Sequence, residues 1–445
     1  MGELLPTLFV IGVGLILFVI ASRGLDRRRE LPWLAFSFVA HIVAAFGQVW
    51  ATLVYYRGGD ALMYHAQSAQ LSRLVIASPH RYLPEVLTML VQGDARFPFP
   101  VPLIGTSTGS QVALTSLIEI PCLRSYVATS VAYSLIAFVG ARLLYQVFRD
   151  RFPVRLHVRL LVATMAIPSV VFWTSGILKE VVASAAFGAM VLAIHWVSRD
   201  RWLKGVLLLV PSVIVTAVFK GYVAGTFFVA AGVFLYWSRA LGRGTLSLRP
   251  AYMVSFGLAA VLAVLVLGRV LPRYSVDGIV DEAARLQTLG MRVEGGSNYE
   301  LGSSDDSLAT QALLAPLALL TALFRPLPFE VSGVGAVNGF ETVGFLLWFL
   351  YVAARRRWGD VYRVIRGSPI LVFSVVFIVL FGIGVGLAST NLGTLSRYRA
   401  PMMPLFASLL IVVQSLAPAI VRTKAPVSPP APSRRRRPAT SAAEQ

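Results

Sequence analysis

The chain has 445 residues, of which 56% are apolar and 14% are charged, and its net charge is +19. A soluble protein of this length carries far more charged surface, so the composition excludes a soluble globular protein. The net charge would suit nucleic acid, but the basic residues lie beside apolar segments, so nucleic acid is not the predicted partner. The single cysteine, Cys122, excludes an intramolecular disulfide and offers no metal cluster.

Apolar residues fall in blocks of the length that crosses a bilayer, roughly 17 to 25 residues each. The first block has no basic residue before it and no small-residue cleavage site, so we expect an anchor rather than a signal peptide. The predicted fold is all-α: a polytopic transmembrane helix bundle of about eleven spans, with interfacial or re-entrant helices in its outer loops. The spans are predicted within 4-21, 32-55, 123-148, 158-174, 176-197, 202-219, 221-238, 251-271, 334-354, 367-388 and 400-420.

Basic residues gather in every second loop, for example Arg27 to Arg29 and Arg355 to Arg357. Placing these loops in the cytoplasm satisfies the positive-inside bias and puts the N-terminus outside and the C-terminus inside. The prediction is a multi-pass protein of the cell inner membrane with a periplasmic active face. Residues 1-424 are predicted to form the membrane domain, and residues 425-445 a disordered basic cytoplasmic tail near anionic lipid.

Two long loops, 57-122 and 272-307, fall on the outer side in this threading. Residues Asp60 to Ile76 of the first loop can form an amphipathic helix, which favours a position in the membrane interface. The second loop is acidic, and the apolar segment 308-324 follows it. If that segment crossed the membrane, the three arginines at 355-357 would lie outside. We therefore expect it to be re-entrant or interfacial.

Unusual polar residues collect on the outer side of this threading. Ionisable groups at membrane depth cost on the order of 2 to 3 kcal/mol each, so they indicate function. The cations suit an anionic ligand, because arginine pairs bind phosphate oxygens bidentately. Each residue also has a plainer interpretation as a turn residue, an interface anchor or a snorkelling side chain. The candidate acid or base groups are Asp60, His65, Glu180 and Glu330. The candidate cations for an anionic ligand are Lys179, Lys220, Arg325, Arg397 and Arg399.

Several segments resemble the polytopic C-type (GT-C) glycosyltransferases, which use polyprenyl-linked sugars. The acidic motif of their first outer loop resembles Gly59-Asp60-Ala61-Leu62-Met63-Tyr64-His65, and a late segment of these enzymes resembles Arg397-Tyr398-Arg399-Ala400-Pro401 with Pro404. This resemblance implies that Asp60 is the catalytic base. The diphosphate-binding groups would then be Arg397, Arg399, Lys179, Lys220 and Arg325, with Trp173 and Tyr398 stacking on sugar or prenyl surface.

The resemblance has departures, because the acidic motif here follows the second predicted span rather than the first. The long outer loop and outer arginines are also similar to Wzy-type repeat-unit polymerases. The expected function is a glycosyltransferase or polymerase acting on polyprenyl-(di)phosphate-linked sugars in exopolysaccharide, capsule or O-antigen assembly. A flippase for the same lipid-linked glycan and a structural subunit of a synthesis complex are the alternatives.

The expected partners are a polyprenyl-linked glycan and membrane lipids, and contact with other polysaccharide-assembly proteins is left open. No cofactor is predicted. A divalent metal near Asp60 is also left open, because no ligand set is legible in the sequence.

Overall fold

A computed structural model describes residues 2–101, 103–242, 299 and 308–421, and every regular element in these ranges is helical. Short π and 3-10 turns, Ala51–Tyr55 and Val154–Leu156, adjoin the second and seventh α-helices. The predicted span at 251-271, most of the acidic loop and the tail at 425-445 lie outside these residues. The α-helices are α1 (Leu4–Ser22), α2 (Leu31–Trp50), α3 (Asp60–Ala77), α4 (Pro79–Leu90), α5 (Ser107–Glu119), α6 (Tyr126–Arg151), α7 (His157–Met165), α8 (Pro168–Trp173), α9 (Lys179–Val197), α10 (Trp202–Gly242), α11 (Leu308–Phe324), α12 (Val334–Arg355), α13 (Trp358–Arg366), α14 (Pro369–Ala388), α15 (Leu392–Tyr398) and α16 (Met403–Val421).

Seven of the described helices are long and apolar enough to cross a membrane: α1, α2 with its π-helical extension, α6, α9, α10, α12 and α14. An eighth span results if α15 and α16, bent by 67°, are taken as one. Large apolar side chains are exposed along these helices, such as Phe9 (57%) and Ile16 (62%) on α1. Such a surface is suited to lipid rather than water. The chain is therefore indicated to be a multi-pass helical membrane protein, but the predicted number of about eleven spans is not confirmed.

The predicted span at 158-174 is interrupted in the structure. It forms two short helices, α7 and α8, and Ile167, the residue just before α8, has an extended backbone. Pro168 explains the break, because proline lacks an N–H and disfavours a helical conformation at the residue before it. Glu341 of α12 accepts hydrogen bonds from the Ser169 backbone N–H at 2.8 Å and from its hydroxyl, which joins the break to a neighbouring helix.

Helix α10 folds back on itself at Lys220, whose φ of −149° and ψ of 71° are not helical. Near its start, Gly205 packs against Ala193 and Val197 of α9. Near its end, Phe234 lies beneath the Arg151 guanidinium, which in turn donates to His195 of α9. A straight helix would separate Gly205 from Phe234 by about 44 Å. Both arms, 202–219 and 221–242, therefore run along α9, and Lys220 lies at their turning point.

Small residues allow α6 and α9 to pack closely. Gly140 of α6 lies against the backbone of Ala185, and Gly188 of α9 lies against the Gly140 carbonyl, so a Cβ at either glycine would clash. Membrane helices commonly approach one another at such residues. This contact fixes the position of α9, whose first turn carries Lys179 and Glu180.

The segment at 308-324, expected to be re-entrant or interfacial, forms helix α11. This helix has 17 residues and packs along one end of α14, with Ala318 against Gly386 and Leu319 against Gly382. Its length is below that of the seven spanning candidates. Whether it enters the membrane from one side and leaves by the same side stays a prediction.

The long loop at 57-122 folds into three helices, α3, α4 and α5. The predicted helix from Asp60 to Ile76 is present as α3, one residue longer. Leu71, Val86, Met89 and Val112 pack together, and each is at most 1% exposed. This small apolar core holds the first turns of α3 and α5 near the start of α9.

Candidate functional site

Asp60 is the first residue of α3. The preceding Gly59 has a φ of 116°, a conformation that a residue with a side chain adopts only at a cost. This turn leaves the Asp60 side chain 51% exposed. An acidic residue in the first turn also stabilises a helix by interacting with its dipole.

Glu180 and Lys220 form a buried ion pair beside Asp60. Lys220 Nζ lies 3.0 Å from Glu180 Oε1, and the two side chains are 10% and 6% exposed. Lys220 Nζ also lies 3.9 Å from the centre of the Tyr398 ring. Lys220, at the turn between the two arms of α10, is thus placed against the Glu180 carboxylate and the face of the Tyr398 ring.

Arg397, at the end of α15, connects this pair to Asp60. Its Nη1 donates to Asp60 Oδ2 at 3.3 Å, and its Nε lies 3.2 Å from Glu180 Oε1, where the angle is that of an ion pair rather than of a hydrogen bond. Asp60, Arg397, Glu180 and Lys220 therefore form one chain of ionic contacts from four helices. We call these four residues, together with Lys179, the charged cluster.

Lys179 differs from the other two cations because hydroxyl groups rather than carboxylates surround its ammonium group. Its Nζ donates to Thr108 Oγ1 at 2.8 Å and to Ser107 Oγ at 3.1 Å. Both hydroxyls belong to the first turn of α5, while Lys179 itself begins α9. Two helix N-termini, which both favour negative charge, therefore meet at this lysine.

The charged cluster carries more positive than negative charge. Three cationic side chains face two carboxylates, and Lys179 is the member that donates its hydrogen bonds to the neutral hydroxyls of Ser107 and Thr108. Tyr64, one turn after Asp60, is 4% exposed. Burial, followed by the Asp60 and Glu180 carboxylates, raises the pKa of Tyr64 far above its usual range, so its hydroxyl stays protonated as a neutral donor.

His65 forms a separate pair with Glu119, the last residue of α5. His65 Nδ1 lies 2.7 Å from Glu119 Oε1, and their side chains are 23% and 0% exposed. The Tyr126 ring lies 5.1 Å from the imidazole ring. Burial raises the pKa of Glu119, and the hydrogen bond to His65 opposes this shift.

Three further candidates, Arg325, Glu330 and Arg399, also lie apart from the charged cluster. Arg325 and Glu330 pair with each other at 2.7 Å, and the Tyr299 ring lies 4.6 Å from the Arg325 guanidinium. Arg399 is 0% exposed, and its Nη1 donates to the Arg325 carbonyl at 2.6 Å. Arg399 Nη2 donates to Thr342 at 2.8 Å and to Asn338 at 3.1 Å.

The placement of Arg399 differs from that of a ligand-binding arginine. Its guanidinium also approaches the carbonyls of Ala322 and Leu323, at 3.5 Å each, so it lies against the last turn of α11. Carbonyl groups at a helix end need donors when water is absent, and a cation there interacts favourably with the helix dipole. These contacts assign Arg399 a structural role and leave Arg397 as the arginine of the site.

The described residues contain no group of three or more His, Cys, Asp or Glu side chains that could hold a metal ion. A metal near Asp60 would therefore need ligands other than these side chains. Two cavities lie away from the charged cluster. One, of about 30 Å³, adjoins His41 and the break between α7 and α8, and the other, of about 560 Å³, is an apolar opening between α1 and α6.

Glu119 and the two hydroxyls that hold Lys179 were not predicted from the sequence. One signal was present: Ser107, Gln111, Thr115 and Glu119 recur every four residues and so share one face of α5. Thr115 and Gln111 on this face hydrogen-bond the buried Tyr133 hydroxyl.

No protein-family model, curated protein or solved structure matches this chain.

Proposed function

We propose that this protein is a membrane glycosyltransferase or polymerase that takes its sugar from a polyprenyl-(di)phosphate carrier. The reaction would occur at the periplasmic face of the inner membrane, in exopolysaccharide, capsule or O-antigen assembly. The observation that carries this proposal is the charged cluster, whose surplus positive charge lies at the ends of apolar helices.

An anionic ligand fits the contacts of Lys179. Ammonium, two hydroxyls and two helix N-termini are the groups that proteins use for phosphate. Arg397 adds a guanidinium that is 22% exposed and already oriented by Asp60 and Glu180. Preorganised cations of this kind stabilise the charge that develops on a diphosphate leaving group.

A lipid-linked ligand fits the position of the charged cluster. Lys179 and Glu180 begin the spanning helix α9, and Lys220 lies at the turn between the two apolar arms of α10. A phosphate bound here would lie at the boundary where the tail of a carrier lipid enters the hydrocarbon layer. A soluble nucleotide sugar would gain nothing from this apolar surrounding.

A flippase for the same lipid-linked glycan is the second candidate. Transporters bind substrates beside interrupted helices, and the described residues include such breaks between α7 and α8 and at the 67° bend between α15 and α16. The two candidates share the anion site and differ in whether a glycosidic bond forms.

Binding is tested with the full chain in lipid nanodiscs, using undecaprenyl phosphate and undecaprenyl diphosphate as probes and undecaprenol as the uncharged reference. We expect both phosphates, but not the alcohol, to raise the thermal unfolding midpoint measured by tryptophan fluorescence. Lys179→Met should weaken the effect at least tenfold in probe concentration. Lys204→Met, at an exposed position at the start of α10, is the matched control. Equal stabilisation by undecaprenol, or an unchanged Lys179→Met protein, contradicts the proposed anion site.

Catalysis is tested in a host whose own copy of the gene is deleted. Loss of surface polysaccharide, with accumulation of extractable lipid-linked sugar, is expected for the deletion and for Lys179→Met. Intermediates that accumulate only on the cytoplasmic leaflet would instead identify the protein as a flippase. Normal polysaccharide in the deletion strain would refute both functions.

A further inference from the structure

The pair formed by His65 and Glu119 lies outside the charged cluster, and the anion site makes no use of it. Glu119 is completely buried, and among the described residues its Oε2 has no hydrogen-bond partner. Removing a carboxylate from water is costly unless it is paired, so a carboxylate at this position requires an explanation. The exposed edge of His65 makes the pair accessible from outside the helix bundle.

The geometry fixes the orientation of the imidazole. Glu119 Oε1 lies 2.7 Å from Nδ1, and the Tyr126 ring packs against the imidazole at a centroid distance of 5.1 Å. When Nδ1–H donates to the carboxylate, Nε2 carries the lone pair and can accept a proton. A carboxylate that holds a histidine in one tautomer and stabilises its positive form is the arrangement used to prepare a general base.

Asp60 is less suited to remove a proton. Its carboxylate contacts Arg397 at 3.3 Å and so serves to hold that guanidinium. If Asp60 took a proton, it would lose the ion pair that holds Arg397 in place, so it serves better as the partner of Arg397 than as the base.

We propose that His65, oriented by Glu119, is the proton acceptor of the reaction, and that Asp60 positions Arg397. This inference rests on the proposed function, because it assigns a step within the transfer reaction. Asp60 and His65 are five residues apart on α3, which is about 7.5 Å of rise along the helix axis. The acceptor hydroxyl would then lie on the His65 side and the donor diphosphate on the side of Arg397 and Lys179.

The step balances without a further reactant. The acceptor hydroxyl oxygen forms a bond to the anomeric carbon of the donor sugar. The bond from that carbon to the diphosphate oxygen breaks, and its electron pair leaves with the diphosphate. The hydroxyl proton passes to Nε2 of His65, while the Glu119 carboxylate, through its contact with Nδ1, stabilises the imidazolium that results.

The first test needs no substrate. Purified full-length protein in nanodiscs is treated with diethyl pyrocarbonate, which acylates neutral and accessible imidazole, and the labelled peptides are quantified by mass spectrometry. We expect His65 to react at least as fast as His80, an exposed histidine on α4, although His65 is only 23% exposed. Glu119→Gln should slow labelling of His65 several-fold and leave that of His80 unchanged. An unreactive His65, or one indifferent to Glu119→Gln, overturns the proposal.

The second test identifies the proton acceptor in the host. His65→Ala should reduce polysaccharide about a hundredfold or more at normal abundance of the protein, because general base catalysis typically contributes at least that factor. His80→Ala is the matched control. Added imidazole should restore part of the product to His65→Ala membranes, which a purely structural role of His65 would not allow.

The failure of this proposal differs from the failure of the proposed function. Full polysaccharide from His65→Ala, together with its loss in Lys179→Met, would refute His65 as the base and keep the anion site. Full polysaccharide from Lys179→Met would refute the anion site, whatever the labelling of His65 shows.

Discussion

Glu180→Gln is the most informative single change in the charged cluster. Glu180 is the only carboxylate that contacts both Lys220 and Arg397 among the described residues, at 3.0 and 3.2 Å. Glutamine keeps the volume and one carbonyl acceptor but removes the negative charge. The change leaves two cations facing each other at a site where Lys220 is 10% exposed.

The expected cost follows from these contacts. Removing one partner of a buried ion pair typically costs about 3 to 5 kcal/mol, because the other charge stays buried without compensation. The Tyr398 ring, 3.9 Å from Lys220 Nζ, offsets roughly 0.5 to 2 kcal/mol of this cost. Arg397 also keeps its contact with Asp60. We therefore expect Glu180→Gln to reduce the free energy of unfolding by about 3 kcal/mol.

The double variant Glu180→Gln/Lys220→Met separates the loss of the charge pair from the loss of packing. Removing both charges should recover part of the stability, so the two changes should be coupled by at least about 1 kcal/mol. Unfolding is followed by tryptophan fluorescence during titration with sodium dodecyl sulfate in mixed micelles. Glu85→Gln is the control: Glu85, on α4, is half-buried, and its carboxylate accepts a hydrogen bond from the Arg96 N–H.

Three results with these variants would contradict the proposed contacts or the anion site. A Glu180→Gln protein as stable as Glu85→Gln would refute the buried pair. Strict additivity of the two single changes would refute the direct contact between Glu180 and Lys220. The remaining positive charge should also strengthen binding of undecaprenyl phosphate to Glu180→Gln, and weaker binding would count against the anion site.

Three further predictions concern other parts of the chain. Burial would raise the pKa of Glu30, but hydrogen bonds from Arg149, Tyr145 and the Asp26 N–H lower it from 4.5 to about 2. A depressed pKa contributes stability that is fully present above about pH 4.5 and is lost as the pH falls towards 2. Glu30→Gln should therefore lower the thermal unfolding midpoint at pH 7, and its difference from the unchanged protein should become smaller by pH 3. A difference that stays constant with pH would contradict this prediction. Arg399→Lys should lower the free energy of unfolding by about 2 kcal/mol or more, because one ammonium cannot donate to all the separate acceptors of the guanidinium. The affinity of the folded protein for undecaprenyl phosphate should not change. Loss of this affinity at unchanged stability would restore Arg399 as a ligand-binding residue. In a Cys122→Ser background, Ala66→Cys should react with an impermeant thiol reagent added to intact cells, and Arg28→Cys should not. Both positions are exposed, and the predicted topology puts them on opposite sides of the membrane. The reverse labelling pattern would mean that the topology is inverted.

The sequence predicted those parts of the fold that depend on local composition. Continuous apolar runs identified α1, α6, α9 and α14, because a helix that crosses a membrane must satisfy its backbone within itself. Pro168 in the predicted span 158-174 indicated a kink or a break in that span. Which of the two forms depends on contacts with neighbouring helices, here the hydrogen bonds from Ser169 to Glu341. The two arms of α10 were predicted from the lysine between them.

The site was predictable in part for a similar reason. Ionised residues in apolar surroundings are conspicuous, so Asp60, Glu180, Lys220 and Arg397 could be selected from the sequence. Their pairing could not be selected, because it depends on which helices meet. The two arginines of Arg397-Tyr398-Arg399 looked equivalent in sequence, yet they end on different sides of α15 and contact different partners.

The contacts of Arg399 impose an order on assembly during synthesis. The carbonyl of Ala322, at the end of α11, accepts from Arg399, which is synthesised 77 residues later. At roughly 5 to 20 residues per second, this delay is about 4 to 15 seconds. During that time α12 to α14 are made, while the end of α11 must keep its carbonyls in water or at the headgroups. The contact between Arg399 and the end of α11 can therefore form only after α14 has been made.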